Sequence, residues 1–404
     1  MPGVPAGDGD AGLPAGWGLS LDRRTFRPRP DVIIGGYPLR VLRLSDGGSR
    51  LVDTWAAGGI VASRAGARRL ARQLTDGAIA HPLPVGDKDR PAPPVVIVIP
   101  VRDRADGLAA TLAGVADDVE VVIVDDGSLD AGALWAVADR RRGPKTVVRH
   151  PLARGPAAAR NTGWREAAGE LVAFVDADVE LPASWLATLV PHFDDPTVAA
   201  VAPRVVAVPG SASPAWLAAY EQARSPLDLG RHPALVGPRS PVPYVPTTAL
   251  IVRRRALGDV GGFDESLRTG EDVDLVWRLV EAGWRVRYEP GVTVRHPTRD
   301  GLRSWLRQRV GYGRSAASLH ARHGSAVAPL VLSASTAVSV GAVLAAYPLV
   351  GLAAGAATFA SFVGHLDRHL PRAALARLAL LGHAQAIDSS AAAIRRTWWP
   401  LAAP

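Results

Sequence analysis

The sequence predicts an α/β protein with a mainly parallel sheet, preceded by a small module and followed by an apolar helical region. Three observations predict it. The apolar runs Val95–Ile99 and Val119–Val124 read as strands buried on both faces. Helix-like stretches separate such runs, and strand alternating with helix is the pattern of a parallel sheet. Acidic residues close several runs, which is poor for a core and suits a ligand crevice at strand ends.

Taken in order, residues 1–20 are rich in Gly, Pro and Ala and carry Asp8 and Asp10. They lack a basic start and a leucine-rich run, so they read as a disordered leader without a targeting signal. Residues 21–84 form a first module. Asp31–Gly36 and Leu39–Ser45 read as short strands around a Gly-Gly-Tyr-Pro turn. Ser45 is placed to cap a helix through Leu51, Val52 and Trp55. A second helix is expected over 63–75, with Leu70 and Leu74 on one face, and a short strand follows at Ile79. The unit is winged-helix-like. Residues 85–94, with Pro91, Pro93 and Pro94, form a stiff linker.

The α/β domain spans 95–297. Helices are expected over 105–116, 131–142 and 156–168, with strands at 146–149 and 171–175 between and after them. A basic helical segment, 298–323, carries Arg303, Arg307, Arg309, Arg314 and Arg322. No charged residue then lies between His323 and His365. A bilayer span needs ~20 apolar residues. An apolar helical hairpin over 324–365 is therefore expected, with spans near 327–346 and 348–364 and both ends cytoplasmic. The alternative is an Ala/Gly-rich hairpin packed on the rest of the protein. Residues 366–404 are read as a tail.

Composition narrows the function classes. The chain has 404 residues and no cysteine, which excludes disulfides, thiolate zinc sites and cysteine nucleophiles. The formal charge is +8, and only Lys88 and Lys145 among the cations are lysines. That balance favours acidic partners such as nucleotide diphosphates and anionic membranes. Arg64, Arg68, Arg69 and Arg72 on the 63–75 helix leave a DNA-binding regulator as an alternative of another class. The acidic clusters have no use in a regulator, so no nucleic acid is expected.

The clusters carry the chemistry. Asp125-Asp126-Gly127-Ser128 ends a strand. Such a carboxylate can accept an N–H from a base, or cap the next helix. Asp176-Ala177-Asp178 ends another strand. A hard cation on a diphosphate needs only one or two protein carboxylates. The small residues of Gly155–Gly163 let a helix approach the sheet and place Arg160 near a diphosphate or base. Glu271-Asp272 opens a helix after a Gly-rich loop. The helix N-terminus is expected to lower a carboxylate's pKa and keep it ionised for base work. His296 follows a short strand and is a further candidate metal or phosphate ligand.

In this order, with Pro100 in the first strand, the motifs resemble the family 2 glycosyltransferases, which have the GT-A fold. The resemblance covers about 95–297. It implies that Asp125 and Asp126 hold the base and ribose side of a nucleotide sugar, with Pro100 and Arg160 lining it. Asp176 and Asp178 would hold the diphosphate and a divalent metal, Mg or Mn. Asp272, beside Glu271, would be the general base of an inverting transfer. Processive members carry Gln-x-x-Arg-Trp, and Arg307–Arg314 does not match it, so long-chain polymer synthesis is not expected. The first module looks like PqqD-like domains. The whole architecture is similar to the glycosyltransferases of the mycofactocin system. That likeness implies transfer of β-linked glucose from UDP-glucose to a peptide-derived redox cofactor precursor at the cell membrane, with the catalytic domain cytoplasmic. A membrane transferase acting on a polyprenyl-phosphate or other lipid acceptor is the alternative.

Overall fold

The structure is a computed structural model that describes residues 12–86, 91–210, 213–298, 301–327, 334–345, 347–365 and 372–393. Residues 1–11 of the expected leader and 87–90 of the expected linker lie outside them.

The first module is built from β1 (Gly18–Leu21), β2 (Phe26–Arg29), β3 (Val32–Gly35), β4 (Arg40–Arg43), α1 (Asp46–Ala56), α2 (Ala65–Asp76) and β5 (Ala80–Leu83). Strands β2, β3 and β4 form an antiparallel sheet, and β1 pairs antiparallel with β5. Ser45 caps α1 as expected, accepting from the Gly48 N–H. The reading of residues 12–20 as leader is corrected. Leu13, Trp17 and Leu19 are buried in the module's core with Val52, Trp55 and Leu74. The Gly/Pro-rich wording hides these large apolar side chains, whose burial outweighs the poor local propensity. Arg72 of α2 is not a free recognition-helix cation either. It is buried and bound to Asp195 at 2.7 and 2.8 Å. Arg285 meets Asp76 at 2.6 Å, so the module is tied to the larger domain by two bidentate ion pairs.

The larger domain contains α3 (Ala105–Ala113), α4 (Ala131–Asp139), α5 (Pro156–Glu166), α6 (Trp185–Leu189), α7 (Ala215–Arg224), α8 (Arg254–Val260) and α9 (Glu271–Glu281). Its strands are β6 (Val95–Val101), β7 (Glu120–Asp125), β8 (Lys145–Arg149), β9 (Leu171–Val175), β10 (Val198–Val208), β11 (Ala234–Val236), β12 (Ala249–Arg253) and β13 (Arg285–Pro297). They form one sheet in the order β11-β13-β10-β12-β9-β6-β7-β8. Neighbours among β9, β6, β7 and β8 are parallel, and so are β10 and β13; β12 runs antiparallel between β9 and β10. The sheet is therefore mixed. Along β6, Val96 and Val98 face one core and Ile97 and Ile99 the other, which explains the unbroken apolar run. Helix α5 lies close on the sheet: a Cβ on Gly163 would meet Val98 Cγ1 at 2.2 Å.

The C-terminal region adds α10 (Leu302–His323), α11 (Ala334–Leu344), α12 (Pro348–His365) and α13 (Arg372–Ala393). Among the described residues, no helix is long and apolar enough to cross a membrane. At 1.5 Å per residue, the described part of α11 covers ~16 Å and that of α12 ~27 Å, against a core of ~30 Å. α11 and α12 form a hairpin, with Ser339 Oγ donating to the Gly351 carbonyl at 2.9 Å; residues 328–333 and 346 of the first expected span lie outside the described residues. Within the expected tail, 372–393 form α13, whose Leu375 and Leu378 pack on Val32 and Ile34 of β3; residues 366–371 and 394–404 lie outside the described residues.

Candidate active site

Parallel strands bring their C-terminal ends to one edge, and most of the expected residues sit there. Pro100 lies in β6 beyond Val98, where pairing with β9 ends, while β6 goes on pairing with β7 to Val101. A residue without an N–H is tolerated because no strand faces it on that side.

Asp125 ends β7 and Asp126 follows it. Both are buried, and both carboxylates are spent on protein groups. Asp125 accepts from the Ser128 N–H at 2.8 Å and from Arg149 Nη1 at 2.5 Å. Asp126 accepts from the N–H groups of Arg154 and Gly155, both at 2.8 Å, and lies 2.8 Å from His150 Nδ1. These bonds make the pair an anchor of the loop that leads into α5. Gly127, at φ +70°, completes this turn, since a Cβ there would meet the Ala153 N at 2.5 Å. Arg149 and His150 were not foreseen; they belong to β8 and the loop after it and carry no motif of their own.

Asp176 and Asp178 follow β9 on a turn that α3 holds, with Thr111 Oγ1 accepting from the Val179 N–H at 3.0 Å. Asp176 accepts from Arg160 Nη2 at 2.8 Å. Asp178 is bound by Arg104 and lies 3.4 Å from His296 Nε2. His296 sits near the end of a long strand, not a short one. A bridge between Glu180 and Arg295 brings β13 onto the Asp178 turn.

Glu271 and Asp272 open α9 after Gly270, whose φ of +83° suits glycine. Arg160 reaches Glu271 Oε1 at 2.8 Å and so bridges the second and third acidic clusters. Its guanidinium lies over the Phe263 ring, 5.7 Å from the centroid. Burial works against the Arg160 charge, but Asp176 and Glu271 outweigh it and hold its pKa above the ordinary value. Asn161 fixes the loop before α9, donating to the Phe263 carbonyl at 2.8 Å and accepting its N–H at 2.9 Å. Asn161 stood beside Arg160 in the motif, but its loop-holding role was not read from it.

Asp272 departs from expectation. Burial, then the negative charge of Glu271, push its carboxyl up to about 7; the Val273 N–H and Arg160 pull the other way. The helix N-terminus does not win, because Asp272 sits half-buried beside a second carboxylate.

Residues 96–261 match the profile described as glycosyl transferase family 2. Over 96% of the chain and 82% of the relative, 40% of residues are identical to the pre-mycofactocin glycosyltransferase of Mycobacterium tuberculosis. The chain belongs to the family 2 glycosyltransferases. Within them it is like the pre-mycofactocin enzyme, and its mixed α/β domain is GT-A-like. An N-acetylglucosaminyltransferase of Rhizobium meliloti is 27% identical over 59% of each chain. Among solved structures, a mannosyltransferase from Pyrobaculum calidifontis is 23% identical, with a TM-score of 0.45 over 76% of this chain and 89% of that one.

A transferase of this family is expected to use a divalent cation. Among the described residues, no group of three His, Asp or Glu side chains could hold one. Asp178 and His296 nevertheless fit the need: a carboxylate and an imidazole at one strand-end turn, with phosphate and water left to complete the shell. Arg104, a part-exposed side chain, would have to release Asp178. Asp176 fits less well, since the buried Arg160 holds it.

Proposed function

We propose that the glycosyltransferase is an inverting, metal-dependent enzyme that moves β-linked glucose from UDP-glucose to a peptide-derived acceptor of mycofactocin biosynthesis. The observation that carries the mechanism is the Asp272 carboxyl, raised to about 7 beside the Asp176–Arg160–Glu271 bridge. A base with a pKa near the working pH is well matched to taking a hydroxyl proton. Asp272 takes that proton as the acceptor oxygen bonds to the anomeric carbon. The bond from that carbon to the diphosphate breaks on the opposite face, and the diphosphate leaves with the electron pair. Arg160 holds Asp176 and Glu271 in place, so Glu271 positions and Asp272 reacts. A divalent cation at Asp178 and His296 would supply charge stabilisation for the leaving diphosphate.

The donor, acceptor and stereochemistry rest on the similarity to the M. tuberculosis relative and on the family resemblance. We place the enzyme at the cytoplasmic face of the cell membrane, on its surface. Leu349 and Leu352 of α12 and Val338 of α11 are exposed, and the basic α10 precedes them in the chain. The first module is read as PqqD-like, a holder for the peptide-derived partner.

The test is incubation of the full chain with UDP-glucose, other nucleotide sugars and a strong chelator. Metal-dependent release of UDP, largest with UDP-glucose, is expected. Equal release under chelation would contradict the metal, and no release from any nucleotide sugar would contradict the activity.

A further inference from the structure

Helix α10 lies outside the stretch that matches the family profile, yet it is built onto the segment that carries the base. His323 ends it, and that side chain is only 4% exposed. Its Nε2 lies 2.9 Å from Asp274 Oδ1 and its Nδ1 3.1 Å from Glu281 Oε1. Its ring stands edge-on to Trp277, 5.1 Å between centroids. Residues 274, 277 and 281 share one face of α9, so His323 grips that helix along two turns.

The grip reaches the base through the backbone. The Asp274 N–H donates to the Gly270 carbonyl at 3.0 Å and closes the turn that holds Glu271 and Asp272. The other Asp274 oxygen is taken by Arg278 Nε at 2.8 Å. One and two turns back on α10, Leu319 and Ser315 pack against Gly270, where a Cβ would meet each at 3.1 Å. Arg322 binds Asp264 at 2.6 Å and Ser266 at 2.9 Å, holding the loop that leads into α9. The far end of α10 is also fixed: Trp305 and Arg309 bind the buried Glu221 at 2.7 and 2.5 Å.

We propose that His323 is a positioning residue for the general base, acting through Asp274 to fix the first turn of α9. This rests on Asp272 being the base. A carboxylate oxygen only accepts, so the His323 nitrogen facing Asp274 must donate. Small displacements of a reacting group are costly to turnover and leave donor contacts elsewhere intact. Pro100, Asp176 and Arg160, read as binding the nucleotide sugar, stand in β6, after β9 and in α5.

The experiment compares His323→Gln, which keeps an N–H donor, with His323→Met, which has similar bulk and no donor. Donor affinity is measured by titration with UDP-glucose and turnover by UDP release with acceptor present. Expected is a kcat loss of about tenfold for His323→Met, with donor Kd within about twofold of wild type, and recovery of most of it in His323→Gln. Equal kcat in the two variants would overturn the proposal, as would parallel loss of donor binding and turnover. Asp272→Asn run alongside separates the failures. If it turns over normally, the base is misassigned. If it is inactive while His323→Met is normal, only the positioning role falls.

Discussion

Asp125-Asp126 and Glu271-Asp272 look alike in the sequence: two adjacent carboxylates beside glycine at the junction of an element and a loop. Their surroundings are opposite. The first pair accepts three backbone N–H groups and an arginine, and has His150 alongside. The second receives one arginine on Glu271 and one backbone N–H on Asp272. Charge on the first pair is answered by donors, and the pair becomes an anchor. In the second, burial and then the like charge of Glu271, with few donors to answer them, raise the Asp272 carboxyl to about 7. Environment, not residue type, divides two carboxylate pairs into structure and chemistry.

Removing an anchor should have the largest effect on the fold. Asp126→Ala leaves the Arg154 and Gly155 N–H groups without their acceptor in a buried turn. Breaking a buried, hydrogen-bonded charge costs ~3–5 kcal/mol. A urea unfolding midpoint lowered accordingly is expected, with loss of activity following loss of fold. An unchanged midpoint with lost donor binding would make Asp126 a ligand of the donor and not an anchor.

The opposite sign is expected at the second pair. Asp272 has a folded pKa of about 7 against ~3.9 for an unfolded aspartate. A raised carboxyl favours the folded state fully below the unfolded value, and that advantage is lost as pH rises through the folded one. Asp272→Asn escapes the loss. Its melting temperature should match wild type near pH 4 and exceed it by several degrees at pH 8. A gap that is constant with pH would mean that Asp272 is not held protonated by its surroundings.

Much of this was legible in sequence because it is local. The apolar runs gave β6, β7 and β9, and Ser45 gave the α1 cap. The small residues around Gly163 gave the close helix–sheet contact. What was not legible is long-range. Arg160 and Glu271 are 111 positions apart, and Asp178 meets His296 only because β13 bridges to Glu180. The antiparallel placement of β12 and the packing of α10 on Gly270 depend on the assembled tertiary structure. Trp17 and Leu13 were hidden by their Gly/Pro-rich neighbours. The rise in Asp272 follows from burial beside Glu271, which a helix-end rule does not contain.

The central claim is that Asp272 takes the acceptor proton. It is tested most directly by the pH dependence of kcat for wild type and Asp272→Asn, with UDP-glucose binding measured on both. Wild-type kcat should rise with pH and level off above about 7, as the carboxyl loses its proton. Asp272→Asn should bind donor normally, turn over ~10²–10⁴-fold more slowly and lose that rise. An Asn variant within a few-fold of wild type, or one with the same pH profile, would contradict the account.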